Sequence, residues 1–193
     1  HSTFKRLASS ILSNDTKLIM SSEWDNYSPV NFPIQKELND FVFIGLPVSE
    51  AENALIVPLS GHELGHSIYR EMEFDSFFRP MVQKMISPEF KEDQQTIADI
   101  ALIKIEEYFC DFIGIALFGQ SYLLAFSYLI SPQISSALQT SHPNIEKRAK
   151  AMVGAASSLG HKTPCNFSEL FKTQIKEPIN RFHTLLYESE RIA

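Results

Sequence analysis

The residues of this chain best placed to do chemistry are His62-Glu63-Leu64-Gly65-His66. On an α-helix, side chains four positions apart lie one turn apart on the same face, so both imidazoles can reach one cation from one side. Zn²⁺ suits such a pair, because it accepts neutral imidazole nitrogen and tolerates a tetrahedral shell with one place left for water. Glu63 leaves the helix at a different angle and can hold that water as a general base instead of binding the cation. The same five residues could equally be polar groups on the surface of an arbitrary helix, so the flanks have to decide. Upstream, Ala54-Leu55-Ile56-Val57-Pro58-Leu59 is an apolar approach, and Pro58 suits the first turn of a helix. Downstream, Leu64, Ile68 and Met72 recur every four residues and are expected to pack inward, while Arg70 and Glu71 face out. The histidines therefore belong to a partly buried helix that is predicted to run to Glu73. A buried histidine without a partner is costly, which favours a ligand role.

A zinc site with two histidines needs a third protein ligand, and glutamate is a usual one. Residues 92–118 read as one long helix, amphipathic in its first half and apolar nearly all round in its second, the pattern of a helix buried on several sides. That second half holds Glu107 and Asp111, one turn apart. Carboxylates are almost never fully buried unless they are paired or bound to a metal. Glu107 is the expected third ligand. Asp111 is expected to hold the outer N–H of a ligating histidine, His62, and so fix its tautomer. Glu106 is the rival ligand and loses because its neighbour one turn on is Cys110, not a carboxylate. The alternative for Glu107 and Asp111 is a buried ion pair with Lys or Arg. Cys110 lies beside the site and reads as a small buried filler rather than a metal-reactive thiol. Further on, Pro143 opens a helix that runs toward Ser158, with Ile145, Ala149, Met152 and Ala156 on one face. His142 sits at its N-terminal edge, where it can donate to an oxyanion or a substrate carbonyl; without context it reads as a cap or loop residue. Arg148 can brace a carboxylate of the site through both arms of its guanidinium.

These side chains need a scaffold. The chain of 193 residues, 44% of them hydrophobic, is long enough for one good core. Residues 41–45 give the clearest strand signal, β-branched and aromatic between Asp40 and Pro47. A strand there would form a small sheet at the edge of the site, able to pair with an extended peptide. Residues 2–12 read as a short amphipathic helix, which Leu18-Ile19-Met20 resumes after Asn14-Asp15. Residues 24–33 read as a loop. Phe74, Phe77, Phe78, Met81, Val82, Met85 and Ile86 read as core or as a substrate-side wall. Residues 120–129 read as another apolar helix, and 134–138 as a short apolar stretch. Residues 167–192 read as a closing amphipathic helix interrupted at Pro178, with Leu170, Phe171, Ile175, Ile179, Phe182, Leu185 and Leu186 facing in. The fold class is thus mainly α (α+β), with a small edge sheet or hairpin and the metal site between the first helix and a later buried one.

Composition narrows the function classes. Net charge is −6 and no Lys/Arg cluster appears, which leaves nucleic-acid and anionic-membrane binding without electrostatic support. Cys110 and Cys165 are too few and too far apart for a disulfide framework and read as reduced thiols of a cytoplasmic protein. The stretch that begins at Phe112 and ends at Ile130 has no Asp, Glu, Lys or Arg and approaches the ~20 residues that span a bilayer. Gly114, Gly119, Gln120, Ser121 and Ser127 interrupt it, so two buried helices meeting near Gly119-Gln120 are preferred to a membrane span. The chain begins with His1, as a piece of a longer protein would.

The order His62-Glu63-x-x-His66, Glu107-Tyr108-x-x-Asp111, then Ser141-His142-Pro143 with Arg148 resembles the peptidase family of HtpX and the CAAX prenyl protease, a branch of the gluzincins. The resemblance covers about 57–152, with 153–193 as a helical closure, so that 1–193 is expected to form a single zincin-like domain. It implies that His62, His66 and Glu107 bind Zn²⁺, that Glu63 activates water, that Asp111 orients His62, and that His142 and Arg148 support the active site. The implied activity is hydrolysis of a peptide or protein substrate by a zinc endopeptidase. Many relatives carry clear membrane spans, and here only the stretch from Phe112 could be one. A metallopeptidase-like module that binds without cutting, and a zinc site used only for folding, are the rival readings.

Overall fold

The computed structural model of the protein describes residues 16–23, 30–32, 41–50, 52–130, 139–172 and 180–193. Three strands form one sheet: β1 (Lys17–Glu23), β2 (Val30–Phe32) and β3 (Phe41–Pro47), in the order β1-β3-β2. β3 pairs parallel with β1 and antiparallel with β2. Along β1 the burial alternates, with Leu18 inside and Ile19 facing out, the period that a half-covered strand demands. Leu18, Val42 and Ile44 form the inner face and pack on Leu64 and Ile68 of the first long helix.

That helix is α1 (Ser60–Glu71), entered directly from a 3₁₀ segment, Ala54–Leu59, that contains Pro58. It ends at Met72-Glu73, where Glu73 adopts a left-handed φ of 51° and starts α2 (Phe74–Met85). A further 3₁₀ segment, Pro88–Asp93, leads into α3 (Gln94–Phe118). Gly119, at φ 55°, turns the chain into α4 (Gln120–Ile130). Asn144 caps α5 (Ile145–Ser158) by accepting from the N–H groups of Glu146 and Lys147. The 3₁₀ segment Ser168–Phe171 and α6 (Arg181–Ile192) complete the described elements.

α3 is the axle. Its residues enter three apolar clusters of the described residues: Ile97, Ala98, Ala101 and Leu102 with α2 and α6; Phe109 and Ile113 with the sheet; Ile115 with α4 and α5. This is why its sequence is apolar on nearly every side. α1 crosses α3 closely because glycines face it: a Cβ on Gly65 would lie 2.7 Å from the Cα of Cys110. The crossing brings the His62 face of α1 onto the Glu107 face of α3.

The mainly helical architecture with a small sheet is as expected, and several local expectations need correction. The 41–45 strand exists but is central; the sheet edge nearest α1 is β2, inside the stretch expected to be loop. Leu18-Ile19-Met20 forms a strand, not a resumed helix. Met72 is 57% exposed because the helical spacing stops at the turn it occupies. Phe77, Met81 and Met85 lie on the outer side of α2 and are exposed, with Val82 buried on the inner side. Leu170 and Phe182 are exposed too: the closing segment is a 3₁₀ turn and a separate helix, so one helical period does not run through it. The helix expected over 2–12, the stretch 134–138, the interruption at Pro178 and the inward positions Ile175 and Ile179 lie outside the described residues. The stretch from Phe112 to Ile130 is two helices, and among the described residues no helix is long and apolar enough to cross a membrane. Cys110 is buried, Cys165 is exposed, and both are free.

Candidate metal centre

α1 presents the rings of His62 and His66 edge to face, with centroids 4.9 Å apart. Each ring is held at Nδ1 by a carboxylate from α3. His62 Nδ1 lies 3.0 Å from Asp111 Oδ1, and His66 Nδ1 lies 2.8 Å from Glu106 Oε1. Donation from Nδ1 leaves Nε2 of each ring as the nitrogen with a free lone pair. Both Nε2 atoms face Glu107: His62 Nε2 is 3.5 Å from Oε2, and His66 Nε2 is 3.6 Å from Oε1. Glu107 Oε2 is buried and accepts no hydrogen bond among the described residues. A buried carboxylate that turns one oxygen toward each imidazole nitrogen, with Arg148 as an ion-pair neighbour of Oε2, completes a donor set that fits a divalent cation. His62, His66 and Cys110 also offer ligand atoms within 4.8 Å of one another, a cluster that could hold a metal ion. Glu107 lines the open cavity beside the imidazoles, whereas Cys110 does not.

Asp111 is the hub behind His62. It accepts from Arg148 Nε at 2.5 Å and Nη2 at 2.8 Å, and from the Tyr122 hydroxyl at 2.5 Å. Burial pushes its carboxyl upward, but the Arg148 charge and hydrogen bonds win and hold it well below the usual range. The third arm of Arg148 reaches Glu107 Oε2 at 3.1 Å, so burial is again outweighed and Glu107 also sits below its ordinary value. Arg148 itself is buried, stacked over the Phe126 ring at 5.1 Å, and stays charged because the two carboxylates outweigh its desolvation. The ion pair weighed for Glu107 and Asp111 is therefore present, and it does not turn Glu107 away from the histidines.

Glu63 is buried next to this cluster. Burial raises its carboxyl above the ordinary range, opposed by His62 and His66. Its backbone carbonyl accepts from Asn31 Nδ2 at 2.8 Å, and Asn31 also donates to Ser67 Oγ at 2.9 Å, which fastens β2 alongside α1. His142 stands at the rim with its side chain 52% exposed; Nδ1 lies 2.9 Å from Ser141 Oγ and Nε2 lies 3.8 Å from Glu107 Oε2. Burial lowers its pKa and favours the neutral ring. A cavity of about 450 Å³ opens here. Its lining is mixed: Glu63, His66, Glu107 and His142 are among the polar side chains, and Leu59, Phe126, Leu129 and Ile130 are apolar.

All seven expected site residues, His62, Glu63, His66, Glu107, Asp111, His142 and Arg148, meet in this one place. Sequence reasoning missed Glu106 as the partner of His66, having weighed it only as a ligand. It also missed Tyr122 and Asn31. The signal for Tyr122 is a phenol in an apolar run, at the third residue of α4; for Asn31 the sequence carries none. The chain matches no protein-family model, no curated protein and no solved structure.

Proposed function

We propose that this chain is a zinc-dependent metallopeptidase with a zincin-like catalytic domain. The observation that carries the reading is the convergence of His62 Nε2, His66 Nε2 and the Glu107 carboxylate, with both Nδ1 atoms already committed to carboxylates. His62, His66 and Glu107 would hold the ion. Zinc, when bound, acidifies water and polarises a carbonyl as a Lewis acid. Glu63, at the cavity wall, takes a proton from the attacking water and delivers it to the leaving amine. His142 donates its Nε2–H to the oxyanion that develops on the substrate carbonyl. Asp111 and Glu106 fix the two rings, and Arg148 fixes Asp111 and Glu107. The cavity, lined by both polar and apolar side chains, suits a peptide or protein substrate. The order of the motifs, which resembles that of HtpX and the CAAX prenyl protease, supports the same reading.

A digest of a peptide library with the zinc-loaded protein tests this. Cleavage that a chelator abolishes, and that Glu63→Gln lowers at least about a hundredfold while zinc stays bound, is the expected result. Equal cleavage by Glu63→Gln would overturn the mechanism, and a zinc-loaded parent that cuts nothing would leave the binding module. One observation favours a second reading, a metal site used for folding alone: the proximity of Cys110 to both histidines. That reading predicts a sulfur ligand and unfolding on chelation.

A further inference from the structure

Away from the cavity, the most completely buried charge among the described residues belongs to no catalytic proposal. Lys104, one turn before Glu107 on α3, is 0% exposed. Its Nζ pairs with Glu190 Oε2 of α6 at 2.8 Å and donates to Ser189 Oγ at 3.2 Å and Leu186 O at 3.4 Å. Glu190 faces a second element as well. Its Oε1 accepts the backbone N–H of Asn144 at 3.0 Å, and its carbonyl accepts from Lys147 Nζ at 2.7 Å.

Asn144 is the cap of α5, and its own carbonyl accepts the N–H of Arg148 at 2.9 Å. One unbroken path thus runs from Lys104 through Glu190 and Asn144 to Arg148, and from there to Asp111 and Glu107. Two residues before Asn144 stands His142. A buried ion pair stabilises little for its own sake, because desolvation offsets most of the attraction. Two well-packed apolar residues would hold α3 and α6 together as well. They could not accept the Asn144 N–H, which sits where α5 begins.

From this we infer that Glu190, seated on Lys104, is a positioning residue of the active site: it sets where α5 starts and thereby places His142 and Arg148 against the metal centre. The C-terminal helix is then a working part of the site, although it contributes no group to the cavity. The inference rests on the peptidase reading for its kinetic readout and on the hydrogen-bond path for its structural one.

Removing Glu190 alone would strand a buried lysine, so the informative variants remove both charges together. Lys104→Met with Glu190→Gln keeps a carbonyl oxygen for the Asn144 N–H; Lys104→Met with Glu190→Leu keeps none. The glutamine double is expected to hold kcat within about threefold of the parent, and the leucine double to lose about tenfold or more, as small displacements of catalytic groups do. KM and zinc content should differ little between the two doubles, and the leucine double should melt a few degrees lower, because it leaves the buried Asn144 N–H without that acceptor. The Arg148 Nε–H resonance, sharp while it donates to Asp111, should persist in the glutamine double and broaden or shift in the leucine double. Equal kcat and an unmoved Arg148 resonance in both doubles would overturn the inference. If the zinc-loaded parent cleaves nothing, the peptidase reading fails, and the Arg148 resonance still decides this one.

Discussion

Replacing Arg148 by methionine is the most demanding perturbation of the centre. The guanidinium makes three short contacts to buried carboxylates, at 2.5 and 2.8 Å to Asp111 and 3.1 Å to Glu107. Methionine fills much of the volume over Phe126 and removes every contact. Breaking one side of a buried pair costs about 3–5 kcal/mol, because the surviving charge stays uncompensated. Two carboxylates are left here, one helical turn apart, so the upper part of that range is expected for the metal-free protein at pH 7. For a domain of 193 residues each kcal/mol moves the midpoint by about 2–4 °C, which puts the drop at about 8–20 °C. The pH dependence carries a sign. In the parent, Asp111 and Glu107 sit below their unfolded values, so their stabilisation is complete above about pH 5 and is lost as the pH falls further. In Arg148→Met, burial is no longer opposed by the guanidinium and both carboxyls rise, so mild acid relieves the variant first. Melting curves of chelated parent and variant between pH 5 and 8 should therefore converge on acidification. A difference below about 1 kcal/mol at pH 7, or one that widens in acid, would refute the assigned role of Arg148.

Other perturbations follow from the same geometry. Glu106→Gln removes the charged acceptor of His66 Nδ1 and should weaken zinc binding about 10–100-fold in a competition titration; unchanged affinity would make Glu106 a bystander. Gly65→Ala drives a Cβ to 2.7 Å from the Cα of Cys110 and should cost about 1–3 kcal/mol by denaturant titration, since two helix backbones must part. A fully tolerated alanine would mean that α1 and α3 cross less closely. Glu188 is held down to about 2, first by its hydrogen bond from Arg191 and against its burial. Its contribution is present above the ordinary glutamate value near ~4.3 and fades as the pH falls from there toward about 2, so Glu188→Gln should flatten the acid limb of stability. An acid limb as steep as the parent's would remove Glu188 from the account.

How far the sequence discloses this centre depends on whether its signals are local. The His62–Glu63–His66 spacing and the Glu107–Asp111 spacing are helical periods, and each is legible because one element carries the whole pattern. The burial of α3 is legible for the same reason: charges nearly vanish from its second half, so those that remain must have partners. Partnerships across elements leave no such trace. Glu106 and Glu107 are adjacent and chemically alike, and only the crossing angle of α1 decides that one meets Nδ1 of His66 while the other faces both Nε2 atoms. The Lys104–Glu190 pair joins distant segments, and nothing near either residue announces it. β1 escaped because three consecutive apolar residues fit a helix face as well as a strand, and its parallel pairing with β3 is non-local. β2 spans three residues, too few for any period to show.

The central claim is a divalent cation held by two imidazoles and one carboxylate. X-ray absorption at the zinc edge on the metal-loaded protein tests it most directly. The account predicts one zinc per chain, with nitrogen neighbours at about 2.0–2.1 Å, oxygen at about 2.0–2.2 Å, and the oxygen shell altered in Glu107→Ala. A sulfur neighbour at about 2.3 Å that vanishes in Cys110→Ala, or the lack of stoichiometric metal, would contradict it.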